Sequence, residues 1–101
     1  MNLKNKNILI TGGTGSFGSK FIEVLLKKYK PEKLVIFSRD EQKQYEMSQY
    51  FSEVKYPNIR YFIGDVRDKN RLERACANID FIIHAAAMKH IDLMETNPIV
   101  G

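Results

Sequence analysis

Four of the chain's six glycines stand close together, directly behind a short apolar run. The run is Ile8-Leu9-Ile10, and the glycines occupy positions 12, 13, 15 and 18, three of them with the spacing G-x-x-G-x-x-G. The residues behind Gly18 have the apolar periodicity of a helix. Because glycine permits a sharp turn and a close approach of helix to sheet, this pattern predicts the first strand, turn and helix of a parallel α/β fold.

Three further apolar runs follow, at residues 34–37, 59–63 and 81–83. Consecutive apolar positions suit strands that are buried on both faces, as in parallel sheets. Between the runs we expect three helices: the first ends in lysines before Pro31, the second runs from Asp40 to about Val54, and the third is capped by Asp68. The order β-α-β-α-β-α-β with right-handed crossovers predicts a Rossmann-like, doubly wound parallel sheet with strand order 3-2-1-4.

The glycine turn is a candidate phosphate site. Gly12 would allow the tight turn, Gly15 would let a pyrophosphate approach the backbone, and Gly18 would let the helix lie close to the sheet. Free N–H groups and the dipole at a helix N-terminus favour an anion, and the hydroxyls of Thr14 and Ser16 would add hydrogen bonds. The pattern therefore predicts a dinucleotide site.

A dinucleotide site also needs a group that binds the adenosine ribose, at the end of the second strand and about 20 residues after the glycines. That place holds Ser38-Arg39-Asp40-Glu41. An acid there would bind the 2′-hydroxyl of NAD, whereas a hydroxyl followed by arginine suits the 2′-phosphate of NADP, because guanidinium matches phosphate in charge and shape. Ser38 and Arg39 favour NADP. We interpret Asp40 as an acid at the start of the second helix. It is also close enough to the end of the strand to bind a ribose hydroxyl, so NAD is the alternative cofactor.

The third strand ends in Ile63-Gly64-Asp65-Val66. A carboxylate at this edge would accept a hydrogen bond from an adenine amino group, with the backbone of Val66 completing the contact. The alternative role for Asp65 is that of a turn residue.

The fourth strand runs into His84-Ala85-Ala86-Ala87-Met88-Lys89-His90. Small residues at a strand end let a flat cofactor lie against the backbone. His84 lies in an apolar run, so we expect a core histidine with its hydrogen bonds satisfied rather than a catalyst. Lys89 and His90 follow the strand at the edge where α/β sheets bind ligands, and they are candidates to face the substrate.

Charge and composition exclude other classes of function. The 16 basic residues exceed the 12 acidic ones, and the net charge of +4 favours an anionic partner without choosing among them. The lysines around Tyr29 lack the interleaved aromatics of a nucleic-acid surface, and Gly18 is not followed by the lysine of a P-loop. Cys76 is the single cysteine, which excludes an internal disulfide and a multi-cysteine metal cage, and we expect it to be a small packing residue.

Targeting signals are also missing from the sequence. No apolar run reaches the length of a signal peptide or a membrane span, so we expect a cytoplasmic protein that binds neither membrane nor nucleic acid. The segment Asn97-Pro98-Ile99-Val100-Gly101 is typical of the first turn of another helix. We therefore expect residues 1–101 to be the N-terminal part of an NAD(P)-binding Rossmann domain, ending before its catalytic and substrate-binding parts.

Four segments together resemble the extended short-chain dehydrogenase family, and within it the UDP-N-acetylglucosamine 4,6-dehydratases (5-inverting) of bacterial flagellin glycosylation and capsule synthesis. They are GGTGSFG at 12–18, FSRDE at 37–41 with QYEM at 44–47, GDVRD at 64–68 and HAAAMKH at 84–90. The glycine turn alone identifies only the superfamily. The SRDE and AAAMKH segments narrow the resemblance to the dehydratases within it. Tyr29 and Lys33 have the Tyr-x-x-x-Lys spacing that short-chain dehydrogenases use, but Pro31 between them prevents a shared helix turn.

The resemblance implies a lyase that holds NADP tightly as an internal redox carrier. Hydride leaves C4 of the sugar, a base removes the C5 proton, water departs from C6, and the hydride returns to C6 with inversion at C5. The family's catalytic residues lie further along the chain, so this chain alone should be inactive; the full-length protein should bind a UDP-amino sugar and form a homo-oligomer. No metal is expected. The cofactor-binding residues implied are Gly12, Thr14, Gly15, Ser16, Phe17, Gly18, Ser38, Arg39, Asp65, Val66, Ala85, Ala86, Ala87 and Lys89.

Two alternatives remain open at this stage. A UDP-hexose 4-epimerase shares the fold and the first hydride step but returns the hydride to C4. A non-catalytic dinucleotide-sensing module would use the same fold only to report redox state.

Overall fold

The computed structural model describes residues 3–12 and 16–85. Along the chain it contains β1 (Asn7–Thr11), α1 (Ser16–Val24), β2 (Lys33–Ser38), α2 (Glu41–Tyr50), β3 (Ile59–Ile63), α3 (Lys69–Ala75) and β4 (Phe81–His84). All pairings between the strands are parallel, and their order is β3-β2-β1-β4. The predicted Rossmann-like sheet with order 3-2-1-4 is therefore confirmed.

Strand β1 lies between β2 and β4 and is buried from Ile8 onwards because both faces of the sheet are covered. Ile8 and Ile10 pack into the cluster that contains Ile22 of α1 and Met47 of α2. Leu9 packs into the opposite cluster with Ala75 of α3. Successive residues of a strand point to opposite faces, so this division places α1 and α2 on one face of the sheet and α3 on the other.

Backbone hydrogen bonding of the sheet continues for one residue past the carboxyl ends of β1, β3 and β4. The N–H of Gly12 donates to the Phe37 carbonyl at 3.2 Å, and the N–H of Gly64 donates to the Ser38 carbonyl at 3.0 Å. The N–H of Ala85 likewise donates to the Thr11 carbonyl at 2.9 Å. The residues that follow the strands are thus held by the sheet itself at the edge where such folds bind ligands.

The end of the first helix differs from the expectation of a regular helix. After α1 the chain continues as a π-helical segment, Leu25–Tyr29, which ends where Lys30 adopts a left-handed φ of 48° and donates its N–H to the Leu25 carbonyl. Leu25 and Leu26, within this segment, are both buried, at 0% and 7% exposure.

Helix α2 is shorter than the sequence predicts. It ends at Tyr50, whereas the expected end was about Val54. Phe51 leaves the helix and packs against the core, and a separate turn follows in which the N–H of Tyr56 donates to the Ser52 carbonyl at 2.8 Å. Val54 is left 92% exposed. Helix α2 therefore ends where Phe51, partly buried, packs against the core.

Two aspartates cap helices at their N-termini. The carboxylate of Asp40 accepts the Lys43 N–H at 3.0 Å, and that of Asp68 accepts the Arg71 N–H at 3.2 Å. The capping role predicted for Asp68 is confirmed.

In residues 3–12 and 16–85, no helix is both long enough and apolar enough to cross a membrane.

Gly64 is the point of closest packing at the ligand edge of the sheet. A Cβ built there would lie 2.7 Å from Cζ of Phe37 and 2.8 Å from Cγ of Arg71. Phe37 is fully buried and stacks on Phe62 with ring centroids 5.7 Å apart, so its ring has little room to move. Only glycine fits at position 64 without displacing the core.

We predict that Gly64→Ala lowers the free energy of unfolding by about 1–3 kcal/mol, because the added methyl group overpacks the core against Phe37. Urea unfolding followed by circular dichroism measures this. As a control, Phe37→Leu removes the ring atoms that clash, so it should cost less in the Gly64→Ala background than in the wild type. Equal costs in both backgrounds would contradict the steric explanation.

Candidate functional site

A cleft of about 520 Å³ opens at the carboxyl edge of β1, β2 and β3. Its walls come from Gly12 after β1, from residues 37–40 at and after the end of β2, and from residues 64–67 after β3. Parallel pairing brings these segments together because every strand ends at the same edge of the sheet. The sequence predicted the ribose-binding and adenine-binding groups on separate strand ends, and the structure places them around one cleft.

The described part of the glycine turn has the geometry expected for a sharp reversal. Gly12 has a φ of 67°, in the left-handed region that glycine adopts without strain. Gly18 is buried within α1. Two other predicted contacts of this turn, Thr14 and Gly15, lie outside the described residues together with Gly13, as do the side chains of Ser16 and Phe17.

Beyond β4 the structure describes Ala85, which is buried and bonded to β1. The candidate residues that follow it, Ala86, Ala87, Lys89 and His90, lie outside the described residues, as do the last residues of the chain.

Ser38 and Arg39 lie side by side in the cleft wall. Ser38 is 8% exposed, and its Oγ accepts the Asp40 N–H at 3.0 Å, which leaves the hydroxyl hydrogen free to donate. The side chain of Arg39 is 72% exposed, and its Nη1 lies 3.4 Å from Oδ2 of Asp65. The cleft therefore presents one hydroxyl donor and one loosely held guanidinium from adjacent residues.

Asp65 is held more firmly by Arg67. Oδ1 accepts the backbone N–H of Arg67 at 2.9 Å, and Oδ2 accepts its Nη2 at 2.8 Å, while Nε lies 3.2 Å from both oxygens. Side-chain hydrogen bonds from Arg67, followed by the backbone bond, hold the pKa of the Asp65 carboxyl well below its usual range. Asp65 is thus an ionised turn residue that also lines the cleft, and its contact with adenine stays a prediction.

Sequence reasoning gave Arg67 no role. It lines the cleft beside Asp65, with a side chain 77% exposed. The signal that could have identified it is the Asp-x-Arg spacing in a turn after a strand, since a carboxylate that bonds the N–H two residues on brings that residue's side chain close.

Gln44 is a second residue that the sequence analysis missed. It is 4% exposed in α2, and its Nε2 lies 3.4 Å from the Ile36 carbonyl and 3.1 Å from those of Ser38 and Phe62. The Oε1 atom is buried without a hydrogen-bond partner. Gln44 therefore fastens α2 to the carboxyl ends of β2 and β3, Ser38 included. The available signal was a polar residue three positions before buried Met47, on the same helix face.

The expectation for His84 was partly wrong. The ring is exposed rather than in the core, although Nδ1 lies 2.8 Å from Oγ1 of Thr11 and is satisfied as expected. β4 pairs only with β1 within the described sheet, so its last side chain is not enclosed by a further strand.

Cys76 packs against the core cluster that contains Leu9 and Ala75, as expected for a small packing residue.

Other groups of the described residues do not form a reactive centre at the cleft. Tyr29 ends the π-helical segment and Lys33 begins β2, which places both at the opposite edge of the sheet. Over residues 3–12 and 16–85, no three His, Cys, Asp or Glu side chains come together as metal ligands. What these residues offer at the cleft is binding: guanidinium groups and a hydroxyl for an anion, and a carboxylate acceptor that Arg67 and Arg39 already contact.

Residues 8–101 match the family model described as "Polysaccharide biosynthesis protein". The chain is 61% identical over 93 residues to the UDP-N-acetylglucosamine 4,6-dehydratase (inverting) of Campylobacter jejuni, covering 92% of this chain and 27% of that protein. It is 40% identical over 97 residues to the UDP-glucose 4-epimerase of Rickettsia bellii, covering 93% of this chain and 28% of that protein. The chain thus spans little more than a quarter of the length of these relatives.

Among solved structures, the chain superposes on one described as the X-ray structure of Pen from Bacillus thuringiensis with a TM-score of 0.77 and 44% identity. The match covers 97% of this chain and 30% of the other. Together, these comparisons confirm the resemblance to nucleotide-sugar enzymes at the level of family and fold.

For Gln44 we predict that two similarly sized substitutions differ in their effect on stability. Gln44→Met loses the hydrogen bonds but also removes the unpartnered oxygen, so the free energy of unfolding should fall by only about 1 kcal/mol. Gln44→Glu places a carboxylate against three carbonyls and should cost about 3 kcal/mol near neutral pH.

The penalty of Gln44→Glu should shrink on acidification. Burial and the neighbouring carbonyls raise the pKa of the carboxyl introduced by Gln44→Glu in the folded state. The variant is therefore most stable below the pKa that this carboxyl has in the unfolded chain, and its free energy of unfolding falls as the pH rises through the folded-state pKa. Denaturant unfolding at several pH values measures this, with Gln44→Met as the pH-insensitive control. A constant difference between the two variants across pH would refute the proposed contact of position 44 with the carbonyls.

Proposed function

The chain belongs to the polysaccharide biosynthesis protein family, and from this premise we propose that it is the NADP-binding portion of a nucleotide-sugar 4,6-dehydratase that acts on UDP-N-acetylglucosamine. The observation that carries the binding role is the cleft where Gly12, the Ser38–Arg39 pair and Asp65 meet at one sheet edge. The choice of reaction rests on the 61% identity to a protein named as such a dehydratase.

The residues of the cleft fit the adenosine end of a nicotinamide dinucleotide. In this proposal, Arg39 and the Ser38 hydroxyl bind the 2′-phosphate, because an exposed guanidinium beside a free hydroxyl donor matches a doubly charged group. Asp65 and the backbone of Val66 bind the adenine edge. The remaining contacts come from the glycine turn, Gly12, Thr14, Gly15, Ser16, Phe17 and Gly18, and from Ala85, Ala86, Ala87 and Lys89.

One contact supports NADP over NAD. Binding of NAD through the ribose 2′-hydroxyl calls for an acid at the end of β2, and Asp40 is the candidate. Its Oδ1 accepts the Lys43 N–H and caps α2, so the helix cap by itself explains an acid at this position. Arg39, unlike Asp40, does not cap a helix with its side chain.

The rest of the proposal concerns the full-length protein. NADP would supply a hydride acceptor for C4 of the sugar and a hydride donor for C6. We propose that residues 1–101 are the N-terminal part of the NAD(P)-binding domain, that the catalytic and sugar-binding residues lie beyond them, and that this chain alone is inactive. We also propose a cytoplasmic, homo-oligomeric enzyme, for which a single unpaired cysteine suits a reducing compartment.

A UDP-hexose 4-epimerase is the second candidate, favoured by the 40% identity to a UDP-glucose 4-epimerase. Both reactions begin with removal of hydride from C4. They differ in whether water is lost from C6, and this difference is set by residues outside the cleft described above.

We predict that wild-type protein binds NADP⁺ more tightly than NAD⁺ and that Arg39→Ala lowers NADP⁺ affinity about 10- to 100-fold, since charge-assisted hydrogen bonds to phosphate are lost. Isothermal titration calorimetry with both nucleotides on the full-length protein measures this. Arg74→Ala removes the same charge from the exposed end of α3 and should leave both affinities unchanged. Equal wild-type affinities for the two nucleotides would contradict the phosphate site.

We further predict that full-length protein converts UDP-N-acetylglucosamine to a UDP-4-keto-6-deoxy-hexosamine. Mass spectrometry should show a product lighter than the substrate by one water. In deuterated water, the product should carry deuterium at C5, because a solvent-exchanged proton returns there. A product of unchanged mass with inverted C4 would identify the epimerase instead.

A further inference from the structure

The carboxylate of Asp65 is already fully engaged. Arg67 reaches it through its backbone N–H, Nε and Nη2 at 2.8–3.2 Å, and Arg39 reaches it through Nη1 at 3.4 Å. Four donors therefore share a group that has about four lone-pair sites. A ligand that donates a hydrogen bond to Asp65 must first displace one of these donors.

Arg39 is the donor that can leave at least cost. Its contact with Asp65 is the longest of the four, and its side chain is 72% exposed, so water replaces the lost bond. Arg67 is attached by three donors of one residue, including the backbone, and displacing it would also open the turn after β3.

We propose that Arg39 and Asp65 form a specificity switch that couples recognition of the 2′-phosphate to recognition of adenine. The inference rests on the proposed function, which places a 2′-phosphate at Arg39 and an adenine amino group at Asp65. A ligand with the phosphate draws Arg39 away from Asp65 and so frees an Oδ2 lone pair for the adenine amino group. A ligand without the phosphate leaves Arg39 where it is, and the amino group finds the carboxylate occupied.

Arg39 then has two effects on selectivity rather than one. It strengthens binding of NADP by its own contact with the phosphate, and it weakens binding of NAD by occupying Asp65. A phosphate-binding arginine without the second effect would leave NAD⁺ affinity unchanged when removed.

The test measures affinity for NAD⁺, the ligand that lacks the phosphate. Full-length wild-type protein, Arg39→Ala, Asp65→Asn and the double variant are titrated with NAD⁺ and NADP⁺ by calorimetry, with Arg74→Ala as the charge-matched control. We expect Arg39→Ala to raise NAD⁺ affinity about two- to five-fold, the range that corresponds to release of an exposed ion pair. In the Asp65→Asn background, the same substitution should leave NAD⁺ affinity unchanged.

A second ligand keeps the test valid if Asp65→Asn fails to fold. Nicotinamide purine dinucleotide carries hydrogen in place of the adenine amino group and adds no new donor, so Arg39→Ala should not raise its affinity even with Asp65 intact. An equal gain for both dinucleotides would overturn the switch, because the effect would not pass through the amino group.

The failure of the switch and that of the proposed function give different results. If Arg39→Ala lowers NADP⁺ affinity but leaves NAD⁺ affinity unchanged or lower, the phosphate site stands and the switch is overturned. If folded wild-type protein binds neither nucleotide, both are overturned.

Discussion

The parallel pairing of β1 with a strand on each side is the constraint on which the rest of the structure depends. β1 is buried on both faces, so each of its residues must be apolar or internally bonded. Both of its neighbours run parallel to it, which requires crossover connections, and helices supply them. This arrangement brings the residues after β1, β2 and β3 to one edge. The cleft is therefore a consequence of strand direction and register, and only its side chains are left to set its chemistry.

How much of this could be predicted from sequence depended on the range of the interactions. The strand order and the Asp68 cap follow from local patterns of apolar residues, turn residues and helix starts, which a sequence displays directly. The end of α2 and the place of Gln44 could not be predicted in this way, because each is set by tertiary packing: Phe51 finds a site in the core, and the Gln44 amide finds carbonyls of two strands. The residue types at the ligand edge of the sheet were predictable from sequence, whereas the residues with which they form hydrogen bonds were not.

The charges around Asp65 illustrate the limits of assigning roles one residue at a time. The sequence analysis gave Arg39 the phosphate and Asp65 the adenine, as independent tasks. In the structure the two side chains contact each other, and Arg67 holds the carboxylate from the other side. In such a group the affinity for one part of a ligand depends on what the other part does, so the contributions of single residues are not additive.

The three amides that extend the ladder past the strands bear on the entropy of ligand binding. Gly12, Gly64 and Ala85 are the first residues beyond β1, β3 and β4, and each donates its N–H to the neighbouring strand. The backbone at these positions is consequently ordered by folding, before any ligand arrives, and cannot shift without breaking the sheet. At these three positions binding has no backbone left to immobilise, and the entropic cost falls on side chains, at about 0.5–1.5 kcal/mol each. The floor of the site is preorganised by the same hydrogen bonds that hold the fold together.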